Sequence, residues 1–491
     1  MIPRLIIIGA GISGLTAGVY AAKSGFRTLI LEKCATPGGV STCWKRKGYT
    51  FEGGVHWLTG SGDHLPLNKV WREAGALKEN NPVYNKDPFF VLETPSGELP
   101  LWRDPGKMYR TLLEHAPEDR RPIRQLKRHI RWFKYFHSPV TDIPGLERSV
   151  PKPWSPMEFI RMFPALLLAP WLWAISVGDY VSRFRNKDLK DLLGSIMNPG
   201  HNALSFIVTV SSFCYGDSGY PSGGSLLMAR NMEETFRRCG GEIRYNTPVE
   251  RIVEEDGKVK GAMAGGDLIE SDAVLVSVDA RNAIDRLFSP TLTDRWALKM
   301  RRRLRTGQCM FIGFGVRADL RELPKSMVFP LGKPFEAGGL SFNTLNIHNY
   351  AMDGYAPEGC TTLTVLLLGD SYSYWKAARE DGSYYDRKQD VVQRLCRMVE
   401  ELIPSVKGLI EVTDMATPMT VERFCGNHQG GYMTLWQKHT LTPVAPLRYR
   451  KGIYFAGLRT SLSGGLPIAV STGRKVVQYI CRDFGLPFGG Y

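Results

Sequence analysis

The sequence predicts an α/β protein whose core is a parallel sheet flanked by helices. Three observations carry this expectation. A β-branched run opens the chain, a glycine-spaced turn leads from it into a helical stretch, and a second apolar run ends on an acid. Helix–strand alternation of this kind builds parallel sheets.

Residues 4–8, RLIII, read as a strand buried on both faces. Gly9, Gly11 and Gly14 follow as G-x-G-x-x-G, and residues 14–24 have helical composition up to Gly25. Residues 27–31 form the second apolar run, which ends at Glu32. Each part has a task in holding a dinucleotide. Gly9 permits the tight turn, Gly11 lets a pyrophosphate approach the backbone, and Gly14 lets helix and strand pack closely. The helix N-terminus faces the phosphates, and Glu32 accepts the ribose 2′-OH. Strand, helix, strand and acid in this order predict a Rossmann-type nucleotide site. The same opening could pass for a signal peptide, but the glycine pattern accounts for it and no cleavage site follows.

A second glycine turn, Pro37-Gly38-Gly39, comes right after Glu32, and the segment 48–56 (GYTFEGGVH) follows. NAD does not need it; an extended FAD does. The C-terminus agrees. Residues 451–456 read as a strand entering Gly457. Gly464-Gly465-Leu466-Pro467 then opens a helical stretch to about Cys481. Pro467 suits a first helical turn. That helix can aim its positive end at the flavin carbonyl where charge gathers on reduction.

On these residues the chain resembles the flavoprotein superfamily of phytoene desaturases, carotenoid isomerases and retinol saturases, relatives of the amine oxidases. The resemblance lies in residues 4–60, 222–279 and 450–482. The middle segment has Gly223-Gly224-Ser225, a helix to Cys239, Gly240-Gly241-Glu242-Ile243, and the runs 247–252 and 272–277. The resemblance implies FAD as cofactor, with Val249 on the strand beside the adenine. It places Gly9, Gly11, Gly14, Glu32, Gly38, Gly39, Gly457, Gly465, Leu466 and Pro467 around the rest of the cofactor. The stretch EGGVHWLTG is most similar to the retinol saturase branch. Many relatives carry Arg where this chain has Val40, which disfavours an amine oxidase; Arg459 and Lys45 are candidate substitutes for that charge.

The resemblance also implies a discontinuous FAD-binding domain (1–75, 220–290 and 446–491). A mixed-sheet substrate domain takes 76–110 and 291–445, with a helical insertion at 111–219. Runs at 310–316 and 361–368 fit strands of that sheet. Two stretches of the insertion stand out. Residues 120–136 hold seven Lys or Arg and no acid, with Ile123, Leu126, Ile130 and Phe133 on one stripe. That is the pattern of an interfacial basic helix, or of a surface helix packed on the core. Residues 162–178 carry no charge but are broken by Pro164 and Pro170. They are too short to span a bilayer, and suit a buried lid over an apolar tunnel or a dip into one leaflet.

Lys and Arg number 63 against 48 acids, a net +15, which favours anionic partners. The partners expected are a lipophilic small-molecule substrate, a membrane surface met peripherally, and a separate electron donor or acceptor, but no nucleic acid. The nine cysteines show no C-x-x-C and no zinc spacing. A reduced, cytoplasmic chain without metal is expected. Candidate proton-handling residues are His56 and Tyr432, then His428; Cys34 and Cys43 flank the cofactor segment. The expected function is FAD-dependent saturation or desaturation of C=C bonds in a polyene, retinoid, steroid or related lipid. The alternatives are a redox-neutral cis–trans isomerase and a non-catalytic prenyl-binding chaperone similar to Rab GDP dissociation inhibitors.

Overall fold

The computed structural model describes residues 2–146, 155–352, 354–436, 442–462 and 464–490. Its first sheet has six strands in the order 448–450, 453–455, 273–276, 4–8, 27–31 and 242–244. All neighbours run parallel except the terminal 448–450/453–455 pair. The strand Arg4–Ile8 lies at the centre, and its residues 5–8 are buried. The sheet is assembled from three separated stretches of chain, which therefore meet around one nucleotide-type crossover. The helices Ile12–Lys23, Gly224–Arg238 and Leu466–Phe484 pack together on it around a core that includes Leu15, Phe236 and Val477.

The second sheet has seven strands and mixed direction. Its order is 410–416, 309–316, 361–368, 340–349, 326–337, 90–94 and 97–101. Cys309–Val316 pairs antiparallel with Thr361–Leu368 in unbroken register, Phe311 facing Leu366. Long runs of Phe, Val, Ile and Leu suit a pleated surface covered on one face by the helix Tyr384–Leu402. A separate three-stranded meander spans Val249–Glu255, Lys258–Ala264 and Asp267–Glu270.

Helices fill most of residues 105–214, around a third core. The helix Arg120–Trp132 buries Ile123, Leu126 and Ile130, and Phe133 just beyond it, each at 1 % exposure or less. Its apolar stripe is therefore spent on protein, and the interfacial reading of this helix is corrected: only its basic face, with Arg121, Arg124, Arg128 and Arg131, meets solvent. A second correction concerns the apolar stretch after it. Pro156–Ala174 is one continuous 19-residue helix through Pro164 and Pro170. A capping box between Ser155 and Glu158 starts it, with Pro156 in the first turn. Nor is it a buried lid. Met162, Ala165 and Leu172 face inward, whereas Phe159, Ile160, Phe163 and Leu167 are each more than half exposed. Among the described residues no helix is long and apolar enough to cross a membrane.

Candidate active site

The glycine turn after Arg4–Ile8 is held from several sides. Gly9 N–H donates to Leu31 O at 2.8 Å, and Gly38 N–H donates to Ala10 O at 2.9 Å. Gly11 and Gly38 form a bridge. Gly9 has φ +102°, open to glycine but costly to other residues. A Cβ on Gly14 would stand 2.0 Å from Gly9 O, so the first helix can cross the strand only because none is there. Glu32 is buried and binds this turn: Oε2 accepts from Ala10 N–H at 2.7 Å and Oε1 from Cys34 N–H at 2.8 Å. Thr247 N–H donates to Glu32 O, which brings the chain leading into Val249 alongside. Gly457 N–H donates to Thr472 Oγ1, joining the third segment to the helix that Leu466 and Pro467 open behind Gly465.

This cradle fits a dinucleotide. No side chain caps the helix at Gly11 or the one at Gly465, which leaves two positive ends open to anionic or carbonyl oxygens. Ser41 Oγ, beside the Gly38–Gly39 turn, is buried with no hydrogen-bond partner among the described residues, as expected of a group that meets a ligand. Burial raises the pKa of Cys34 and Cys43 and pushes Cys425 up to about 12. These thiols stay protonated and unreactive, which suits non-covalent FAD. Glu32→Ala is expected to weaken FAD by about 1–3 kcal/mol, because it orphans the Ala10 and Cys34 amides that hold the glycine turn; flavin fluorescence titration measures it. Acid precipitation is expected to leave the flavin in the supernatant.

Of the two candidate substitutes for the charge absent at Val40, Lys45 lies on the exposed side of a hairpin. Arg459 is buried and taken up by Asp279 and Thr434.

His56 lies two residues beyond Gly54, whose backbone packs against Ser41 and Thr42 at the end of the cradle. Glu52 fixes this stretch. Its carboxylate accepts from Gly54 N–H, Val55 N–H, Ser225 N–H and Oγ–H, and the hydroxyls of Tyr220 and Tyr355. His56 Nδ1 is 3.0 Å from Tyr350 Oη, and its ring stacks on His348 at 4.8 Å. Burial pulls its pKa down to about 3, helped by Lys86, so the imidazole is neutral. Trp57, Phe89, Phe90 and Phe213 wall the pocket that holds His56, with Lys86, Arg103, Ser326 and His348 among its polar residues.

Tyr432 sits elsewhere. Its N–H donates to Gly307 O, and its ring packs against the cluster of Cys309, Phe311 and Ala416. Burial raises its pKa. His428 lies near the Asp279–Arg459 pair and is likewise pushed down by burial. The residues sequence reasoning missed are Glu52, Lys86, His348 and Tyr350. The alternation His348-Asn349-Tyr350 put both rings on one strand face, but nothing local said that this face meets residue 56.

The family model for flavin-containing amine oxidoreductases matches residues 179–481, and a model for NAD(P)-binding Rossmann-like domains matches residues 7–74. The chain is 24% identical to a lycopene-forming phytoene desaturase of Pseudescherichia vulneris, over 98% of this chain and 99% of that one. It is 23% identical to a chloroplastic prolycopene isomerase of Daucus carota (98% and 80%). To an all-trans-retinol 13,14-reductase of Danio rerio it is 22% identical (87% and 76%). Among solved structures, a putrescine oxidase bound to putrescine superposes with TM-score 0.63 at 16% identity, over 98% and 100% of the two chains. An oxidoreductase from Methanosarcina mazei gives 0.61 at 16%, over 96% and 98%.

Proposed function

The chain belongs to the flavin-containing amine oxidoreductase family, and from that premise we propose that it saturates or desaturates C=C bonds of a lipophilic polyene, retinoid, steroid or related lipid. The observation that carries this reading is the His56 pocket. Four aromatic rings form its walls, and its charged residues are Lys86 and Arg103, with no acid among the described residues that line it. Aromatic walls suit a conjugated chain. Two cations repel a protonated amine, which argues against amine oxidation here.

Bound FAD supplies hydride exchange with the substrate carbon. The protein's share is position, exclusion of water and a proton for the second carbon. In the tautomer in which Tyr350 donates to Nδ1, His56 carries its proton on Nε2. Nε2–H can then protonate the second carbon while Nδ1 takes up the Tyr350 proton, and the Tyr350 oxygen is reprotonated from water to complete the turnover. Only one G-x-G-x-x-G follows the opening strand, so electrons are expected from a separate donor rather than a second bound nucleotide. The test follows deuterium from labelled reduced flavin into product. Label in the saturated product is the expected result. Changed double-bond geometry with no label and no electrons consumed turns the reading to an isomerase. Hydrogen peroxide released from an amine panel turns it to an amine oxidase.

The second element of the proposal is peripheral docking on an anionic bilayer through the helix Pro156–Ala174. Phe159, Ile160, Phe163 and Leu167 are 53%, 65%, 57% and 68% exposed, and Trp171 40%. Beside them Arg161 Nη1 donates to Tyr135 Oη at 3.1 Å, and His129 packs on Trp171, so the basic helix Arg120–Trp132 flanks the same patch. Each Lys or Arg near an anionic surface contributes about 1 kcal/mol. Reversing Arg124, Arg128 and Arg131 to Glu is expected to release the protein from anionic liposomes at low salt. Phe163→Ser with Leu167→Ser is expected to release it at all salt concentrations. Native protein that fails to float with such liposomes rules the docking out.

A further inference from the structure

Lys86 has no part in the chemistry argued above, yet it is the least settled group in the His56 pocket. Its Nζ stands 5.0 Å from the centroid of the Tyr220 ring and 5.8 Å from that of Tyr350. Ring faces are its partners, and among the described residues no carboxylate or carbonyl oxygen accepts a hydrogen bond from it. Burial draws its pKa down to about 8, so at neutral pH it is still mostly an ammonium.

The neighbours that could answer this charge are occupied. Glu52 is the acid whose field reaches Lys86, and its oxygens already accept from three amides and three hydroxyls. Arg103 is occupied as well. It donates to the carbonyls of Lys86, Phe213, Asp217 and Ser218, at 2.6 to 3.2 Å. His56 and His348 are neutral through burial and bring no negative charge. The half-buried Lys86 ammonium thus meets ring faces and no directly paired carboxylate among the described residues, so a ligand oxygen could complete its hydrogen bonding.

The free room beside Lys86 is small, about 10 Å³, which is space for the centre of one water-sized group. It admits one oxygen-sized group beside the Lys86 ammonium.

We propose that this pocket seats the carboxylate end of its lipid, with Lys86 as the charge-reading residue, so that the substrate is a conjugated polyene acid rather than a hydrocarbon. The inference rests on the polyene reading above and narrows it. Lys86 forms no covalent bond in this role. It fixes which end of the chain enters first, and hence which double bond reaches the flavin.

The test uses the flavin-loaded, oxidised protein and three C20 probes with the same conjugated chain: the acid, the primary alcohol and the methyl-terminated hydrocarbon. Binding is read from the flavin difference spectrum at pH 7. The acid is expected to bind about 30-fold more tightly than the hydrocarbon, the worth of a charge-assisted hydrogen bond. Lys86→Met is expected to erase that preference while changing hydrocarbon affinity less than about threefold. Lys86→Arg is expected to keep part of it. Flavin content and melting temperature check that both variants fold. Equal binding of all three probes to the wild-type protein overturns the proposal and leaves the polyene reading standing. A preference for the acid that survives Lys86→Met also overturns it. Failure of all three probes to bind overturns both readings.

Discussion

Replacing His56 with alanine is expected to lower turnover by about 10²–10⁴, the usual span for a positioned proton-transfer group, while flavin content stays at the wild-type level. Those two outcomes separate because the imidazole points into the aromatic pocket, whereas the cofactor cradle is built from backbone at Gly9, Gly11, Gly14, Gly38 and Gly39. Tyr350→Phe is expected to fall between wild type and His56→Ala, since it removes the hydroxyl 3.0 Å from Nδ1 and frees the tautomer. The pH dependence gives an independent check. Burial sets the pKa of His56 at about 3, below its ordinary value, so its unfolded form takes up protons first as pH falls. His56 therefore adds no step to the turnover profile near pH 6.5. Its neutral burial instead makes folding stability decline with falling pH, from about 6.5 down towards 3. A clear kinetic step near pH 6.5 that vanishes in His56→Ala would contradict the neutral-donor role. Unchanged turnover in His56→Ala would remove His56 from the chemistry altogether.

The nucleotide half of the site was legible because its constraints are local. A turn that needs positive φ at Gly9 and a crossing that excludes a side chain at Gly14 both leave their mark as glycine in the sequence. The same holds for Pro467 in the first turn of the last helix. The meander at 249–270 left signals that went unread. Asp256-Gly257 and Gly265-Gly266 are two-residue hairpin turns with positive φ at both positions, the backbone that type I′ turns require. Periodicity identified the apolar face of residues 120–136 correctly but could not say what covers it. Ile123 and Leu126 meet the helix Ala203–Cys214 and its neighbours, some eighty residues away in sequence. Pro164 and Pro170 were read as breaks, yet the flanking Ala, Leu and Met residues and the capping box outweigh two lost backbone hydrogen bonds. The substrate half was illegible for a different reason. His56, Lys86 and His348 come from three separated stretches, and their meeting is a fact of tertiary packing rather than of any local pattern.

Asp279→Ala is expected to destabilise the flavin-loaded protein by about 3–5 kcal/mol, the cost of stranding a buried charge. Asp279 and Arg459 are 1% and 3% exposed in their side chains, and Nη2 lies 3.0 Å from the carboxylate. The pair links the segment after strand 273–276 to the turn after Gly457, and Arg459 Nη1 adds a hydrogen bond to Thr434 Oγ1 at 2.7 Å. The same carboxylate caps the helix Ala280–Arg286 by accepting from Arg281 N–H and Asn282 N–H, which accounts for about 1 kcal/mol of the loss. Two further variants divide these contributions. Asp279→Asn keeps the cap acceptor and removes the charge. Asp279→Ala combined with Arg459→Met removes both charges, and is expected to recover most of the loss because no unpaired guanidinium remains. Denaturant unfolding at fixed free FAD reads all three, since bound cofactor itself adds to apparent stability. A double variant no more stable than Asp279→Ala would mean that the cap and local packing, rather than the stranded charge, set the cost. A loss below about 1 kcal/mol for Asp279→Ala would mean that water reaches Arg459 as soon as its partner is gone.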